Sequence, residues 1–190
     1  MAAPSYPLFT DRLALRPFRA GDLDALHSMQ SRADVTRYLY WAPRSRAETE
    51  AVLERVVGMT WIDEASDAVR LAAILRHSGE LIGDFSVRRT SREHRQGEIG
   101  FVLHPDHHGR GYGTEASLVM LRLGFEELGF HRIVGRCDAR NAASARLMER
   151  LGMRREAHFR ENELVKGEWT DELVFAMLAR EWEARRQTSA

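Results

Sequence analysis

Apolar and polar positions alternate from Arg12 to Phe18, with Leu13 and Leu15 set against Arg12, Ala14 and Arg16. This predicts a strand that Pro17 ends or places at a sheet edge. Asp22 then stands before Leu23, Leu26 and Met29 at helical spacing, so a helix capped by Asp22 is expected. Ser45 with Glu48 three residues on forms a capping box before a second helix that carries Val52, Leu53, Val56 and Val57 and weakens near Gly58. Val69–Leu75 and Leu81–Val87 flank His77-Ser78-Gly79-Glu80 and read as a hairpin. A basic loop follows, then an alternating strand over Glu98–Leu103. Thr114–Leu128 is apolar nearly all round and predicts a buried helix that Gly129 closes. Arg132–Cys137 is a further strand. Asn141 caps a short helix through Arg150, which Gly152 ends, and Arg155–Leu164 with Glu172–Leu178 form a last hairpin. The tail from Arg180 is charged and expected to fray. The whole describes one α/β domain over 1–190, its core over about 8–180, with a mixed and largely antiparallel sheet.

Composition narrows the class without deciding it. The 28 basic and 28 acidic residues cancel, so neither a nucleic-acid partner nor a supercharged surface is indicated. One cysteine, Cys137, rules out an internal disulfide. The start has no basic and apolar leader pattern, and no apolar run is long enough to span a bilayer. A cytoplasmic protein with no membrane partner is the expectation.

The chemistry concentrates in Glu98–Ala116, where a strand runs through Pro105 into Gly109-Arg110-Gly111-Tyr112-Gly113 and a helix opens at Thr114-Glu115-Ala116. Glycines let backbone N–H groups approach a ligand, and a helix start adds unpaired N–H groups and a positive dipole. The segment suits a phosphate or pyrophosphate, with Arg110 available for a charge-assisted contact. Gly111-x-Gly113-x-x-Ala116 also satisfies a dinucleotide pattern, which would make the chain a nicotinamide-dependent oxidoreductase. Against this, His104–Arg110 separates strand from turn, the upstream chain reads as antiparallel hairpins, and about fifty residues after Asp138 are few for a second nucleotide-binding half.

The same loop resembles the acyl-CoA signature of the GNAT acetyltransferase superfamily, Gln/Arg-x-x-Gly-x-Gly/Ala, here His108-Gly109-Arg110-Gly111-Tyr112-Gly113. Thr10–Phe18 with Asp22 resembles the amino-terminal strand and helix of the RimJ/RimL-like branch. Leu81-Ile82-Gly83, Glu98-Ile99-Gly100-Phe101, Asn141-x-x-Ser144, Leu151-Gly152-Met153 and Gly167-Glu168-Trp169-x-Asp171 follow in the family's order. The resemblance implies a GNAT fold of six to seven strands with splayed central strands and about four helices. It implies acetyl-CoA as co-substrate without a metal, and direct transfer to a primary amine on a small molecule or a protein amino terminus. A homodimer would fit the same family, and a non-catalytic acyl-CoA-binding domain is the alternative within it. The pantetheine arm would pair with backbone near Phe101, Val102 and Leu103, and the pyrophosphate with N–H groups of Arg110, Gly111, Gly113 and Thr114. His108 departs from the usual Gln/Arg at its position.

Glu98 is the candidate general base, since an alkylammonium must lose a proton before it can attack. A strand carboxylate without that role is the plainer alternative. Asn141 serves the CoA arm, a helix N-cap, or both; Ser144 is a proton donor to the leaving thiolate or an ordinary first-turn serine. Met148 stands where many relatives carry a tyrosine acid, which leaves that step unassigned. His104, Asp106, His107 and His108 lack converging metal-ligand spacing, and a lone Cys137 reads as a small apolar residue. The arginines of 88–95 read as a solvated loop. Tyr38, Tyr40 and Trp41 suit either an acceptor pocket or core packing. Glu161, Glu163, Glu168, Asp171 and Glu172, partly offset by Arg160 and Lys166, form an acidic rim that would favour a cationic acceptor.

Overall fold

The computed structural model describes residues 3–189. Eight strands form one sheet in the order β1-β2-β3-β4-β5-β6-β8-β7. They are β1 (Leu8–Phe9), β2 (Leu13–Pro17), β3 (Ala68–Leu75), β4 (Leu81–Ser91), β5 (Gln96–Leu103), β6 (Arg132–Asp138), β7 (Arg154–Val165) and β8 (Glu168–Leu178). All neighbours are antiparallel except β5 and β6, which run parallel because helix α4 (Tyr112–Arg122) crosses between them. The helices α1 (Leu23–Gln30), α2 (Ala33–Thr36) and α3 (Arg46–Val57) cover one face. On the other lie α4, α5 (Ala142–Arg150) and α6 (Ala179–Ser189). The α/β class and the mixed, mostly antiparallel sheet are as expected, with more elements: eight strands and six helices.

The differences have local causes. The capping box of α3 is present, Ser45 accepting from the Glu48 N–H and Glu48 from the Ser45 N–H. Asp22 precedes α1 but makes no side-chain cap, because Arg16 holds both its carboxylate oxygens at 2.7 Å. The helix expected from Thr114 starts two residues earlier and closes with a π-helical turn over Leu123–Glu127. Nor does the tail fray along its described length. Trp182 is 6% exposed, stacks on Phe125 with ring centroids 5.8 Å apart, and donates to Glu126, which anchors α6 through tertiary packing.

One irregularity of the sheet positions the site. β5 and β6 pair only from Gln96↔Arg132 to Ile99↔Gly135. Beyond that point β5 stays with β4 as far as Leu103, and β6 stays with β8 as far as Asp138. The two strands therefore diverge and leave the facing edges of 100–103 and 136–138 unladdered.

Candidate active site

The divergence opens into a cleft of about 280 Å3. Its floor is the strand face carrying Arg70, Asp84, Ser86, Glu98, Gly100 and Val102, with Arg136 and Asp138 from β6 and Glu172 from β8. Asn141 and Ser144, in the first turn of α5, close one side. The opposite wall is Tyr38-Leu39-Tyr40 between α2 and α3, facing Glu163 and Val165 near the end of β7. Lys166, at the β7–β8 turn, ties these walls together by donating to the Thr36 carbonyl at 2.6 Å.

Of the expected site residues, the cleft brings together Glu98, Phe101, Val102, Asn141 and Ser144. The Asn141 Oδ1 accepts from the Ser144 N–H at 3.1 Å, so the cap of α5 is real and sets that turn against the cleft. Leu103 and the run from His108 to Thr114 lie outside the cleft lining, around the start of α4. There Gly109 and Gly111 adopt φ of +74° and +82°, the left-handed region that glycine enters without steric cost. Gly111 is the N-cap of α4, and the N–H groups of the residues after it begin the helix without partners four residues back. His108 turns back to donate through Nε2 to the Leu103 carbonyl at 3.0 Å, fastening the loop to the end of β5.

A brace on this loop had no signal in the local sequence. The Arg12 backbone N–H and Nε donate to the two Glu115 oxygens at 3.0 and 2.7 Å, and its Nη1 donates to the Arg110 carbonyl at 2.9 Å. Thr10 adds a 2.5 Å hydrogen bond to Glu115. These contacts, with burial opposing them, leave the Glu115 carboxyl below its usual range. The residue opening α4 thus holds the loop to β2 from about a hundred positions away.

The cleft is acidic. Asp84, Glu98, Asp138, Glu163, Asp171 and Glu172 line it against two guanidinium groups, those of Arg70 and Arg136. Glu98 Oε2 pairs with Arg88 at 2.8 Å and lies 3.6 Å from Arg136. Arg136 also pairs with Glu172 at 3.1 Å and so bridges the two carboxylates. Burial pushes the Glu172 carboxyl upward; Arg136 opposes this, and Glu163 and Glu98 add to it. Tyr40, although exposed on one side, keeps its proton above the ordinary phenol range, through partial desolvation against the cleft wall and a hydrogen bond to Glu163. Burial and the nearby Asp138 and Glu172 push the Cys137 thiol up to about 12, which disfavours a thiolate nucleophile in this cleft. Met148 is fully buried against Gly135, where an added Cβ would lie 2.5 Å from its sulfur, so it presents no proton donor. His107 is buried and meets Glu80 at 3.0 Å on the far side of the loop. Among the described residues no group of three His, Cys, Asp or Glu side chains could hold a metal ion, and no helix is long and apolar enough to cross a membrane.

Comparison with known proteins gives a consistent result. A family model described as an acetyltransferase (GNAT) domain matches residues 12–154. The chain is 32% identical over 173 residues to the uncharacterized N-acetyltransferase YnaD of Bacillus subtilis (strain 168), covering 91% of this chain and 97% of that protein. The crystal structure of a GNAT-family acetyltransferase from Bacillus anthracis superposes with a TM-score of 0.82 at 30% identity, covering 92% of this chain and 99% of that one. Spermidine N-acetyltransferase from Vibrio cholerae, crystallised with CoA and spermine, shares the fold with a TM-score of 0.78 at 22% identity, covering 92% and 99%.

Proposed function

Since the chain belongs to the GNAT acetyltransferase family and is an acetyl-CoA-dependent N-acetyltransferase, we propose that its acceptor is a cationic primary amine, such as a polyamine or a basic amino terminus, bound in the acidic cleft opened by the divergence of β5 and β6. The observation that carries this reading is the lining: six carboxylates against two guanidinium groups where the acceptor must enter. Ion pairs of Asp84 with Arg70, Glu98 with Arg88 and Asp138 with Arg140 cancel three of these acids, so the excess rests on Glu163, Asp171 and Glu172 against Arg136. A field of that sign concentrates cations and rejects anionic acceptors. The name of the Vibrio cholerae relative, a spermidine N-acetyltransferase, is in keeping with a cationic acceptor.

The protein's own residues fit the acyl donor. The unladdered edge of 100–103 offers backbone groups to the amides of a pantetheine arm as an added strand would, beside Phe101, Val102 and Leu103. A backbone N–H there would polarise the thioester carbonyl. The glycine turn and the start of α4 offer the N–H groups of Arg110, Gly111, Gly113 and Thr114 to the pyrophosphate. With the Cys137 thiol held in its neutral form, the acetyl group passes directly from donor to amine. Thr10–Phe18 and Thr114-Glu115-Ala116 support placement in the RimJ/RimL-like branch.

The test is a thermal shift followed by turnover. Acetyl-CoA at a hundred times its dissociation constant should add ~2.7 kcal/mol, a rise in Tm of roughly 5–10 °C for a chain of this size. Release of free CoA thiol should follow with putrescine, spermidine or a short basic peptide, and not with anionic amines such as glutamate. Binding without turnover on any amine would instead favour the non-catalytic acyl-CoA-binding alternative.

A further inference from the structure

The two carboxylates that share Arg136 are not equivalent. Glu98 sits beside two guanidinium groups, Arg88 at 2.8 Å and Arg136 at 3.6 Å, both reaching the same oxygen. Glu172 is 3% exposed, and only its Oε2 is engaged, by Arg136 at 3.1 Å and by the Asn162 side-chain amide at 3.1 Å. Its other oxygen is enclosed and has no hydrogen-bond partner. A buried carboxylate oxygen without a donor carries an uncompensated desolvation cost, so a residue kept in that state is a candidate for function. Glu172 lines the acceptor cleft with Tyr40, and both Tyr40 and Asn162, its amide partner, are exposed residues beside it.

We propose that Glu172, rather than Glu98, takes the proton that the acceptor ammonium must lose. The inference rests on the acetyl-transfer reading above and adds the identity of the base. The ammonium N–H supplies the donor that Oε1 lacks and passes its proton to that oxygen. The freed nitrogen lone pair then forms the N–C bond to the thioester carbonyl carbon, and the C–S bond breaks. The second proton shed by the nitrogen neutralises the departing thiolate, giving amide and CoA thiol, and Glu172 returns its proton to water. The groups that set its readiness are Arg136 and Asp138 on β6, Glu98 on β5, Asn162 and Glu163 on β7, and Tyr40 from the facing loop. Burial raises its proton affinity, with Glu163 and Glu98 adding to this and Arg136 opposing it, the direction that strengthens a base.

The experiment is a pH profile of kcat/KM by thiol release, on whichever of putrescine, spermidine or the basic peptide the wild type acetylates. Glu172→Gln should lose about 100-fold near neutral pH, with the gap narrowing as the amine deprotonates unaided, while the acetyl-CoA thermal shift is retained. Glu98→Gln removes one of the two glutamates that raise the proton affinity of Glu172, so it should move the acid limb to lower pH without the 100-fold loss. Two milder variants on exposed residues decide the matter even if Glu172→Gln does not fold. Asn162→Ala removes a donor from Glu172 alone and should move the acid limb to higher pH, whereas Arg88→Gln touches only Glu98 and should leave it in place. The reverse pattern, or Glu172→Gln matching the wild type, overturns the assignment while leaving the acetyltransferase reading intact. A wild type inactive on every amine would instead defeat that reading.

Discussion

Gly111→Val is expected to weaken acetyl-CoA binding by about 100-fold, equivalent to about 2.8 kcal/mol, while the protein still folds. Gly111 has φ of +82° at the N-cap of α4, a conformation in which a β-branched residue is an outlier. Its added Cβ would also come within 3.3 Å of Arg12 Nη2. That guanidinium cannot step aside freely, because it is held by Glu115 and by the Arg110 carbonyl. The turn must therefore leave the left-handed region, which re-aims the N–H groups that open α4. Hydrogen bonds to a charged partner contribute about 1.5–3 kcal/mol each, so losing one or two accounts for the expected drop. The strain itself costs about 1–2 kcal/mol, which a chain of this size survives. Titration of acetyl-CoA by calorimetry, with a melting curve for the free protein, measures both. Unchanged affinity in a folded variant would remove the turn from the pyrophosphate site.

How far this arrangement could be read from the chain depends on the range of each interaction. The capping box at Ser45, the cap at Asn141 and the glycine turn are settled within a few residues, so their residues announce them. Asp22 misleads because its competitor, Arg16, lies in the preceding strand and not in the helix that Asp22 would cap. The terminal helix α6 has almost no amphipathic pattern of its own and is held by the stacking of Trp182 on Phe125. Glu98 was visible as a strand carboxylate, and its pairing with Arg88 was within reach, since a four-residue turn over 92–95 sets the two opposite one another. Glu172 was visible only as one of several acids on a rim. Its burial and its Arg136 partner arise when β8 pairs with β6 across more than thirty residues of chain, and the Arg12–Glu115 brace arises the same way over about a hundred.

Asp84→Ala is expected to destabilise the fold by about 3 kcal/mol and to raise the KM for the acceptor without changing that for acetyl-CoA. Arg70 and Asp84 lie on neighbouring strands at the cleft floor, and the guanidinium meets the carboxylate through two parallel hydrogen bonds, one from Nε at 2.7 Å. Asp84 is 5% exposed, whereas the Arg70 side chain retains 24% of its exposure on the cleft side. Removing the acid strands a cation that water reaches only partly, which places the cost at the lower end of the 3–5 kcal/mol typical of a broken buried pair. For a chain of this length it corresponds to a fall in Tm of roughly 6–12 °C. The stranded charge also faces the cleft, and an unopposed guanidinium there repels the ammonium that the remaining carboxylates attract. The contrast is the double variant Arg70→Met with Asp84→Leu, which removes both charges and should recover most of the stability and of the acceptor KM. Urea denaturation and steady-state kinetics on the three proteins measure the coupling. If the double variant is as unstable as the single one, the loss comes from the missing pair itself and not from a stranded charge. If its acceptor KM stays high while its stability returns, the carboxylate of Asp84 contacts the acceptor directly.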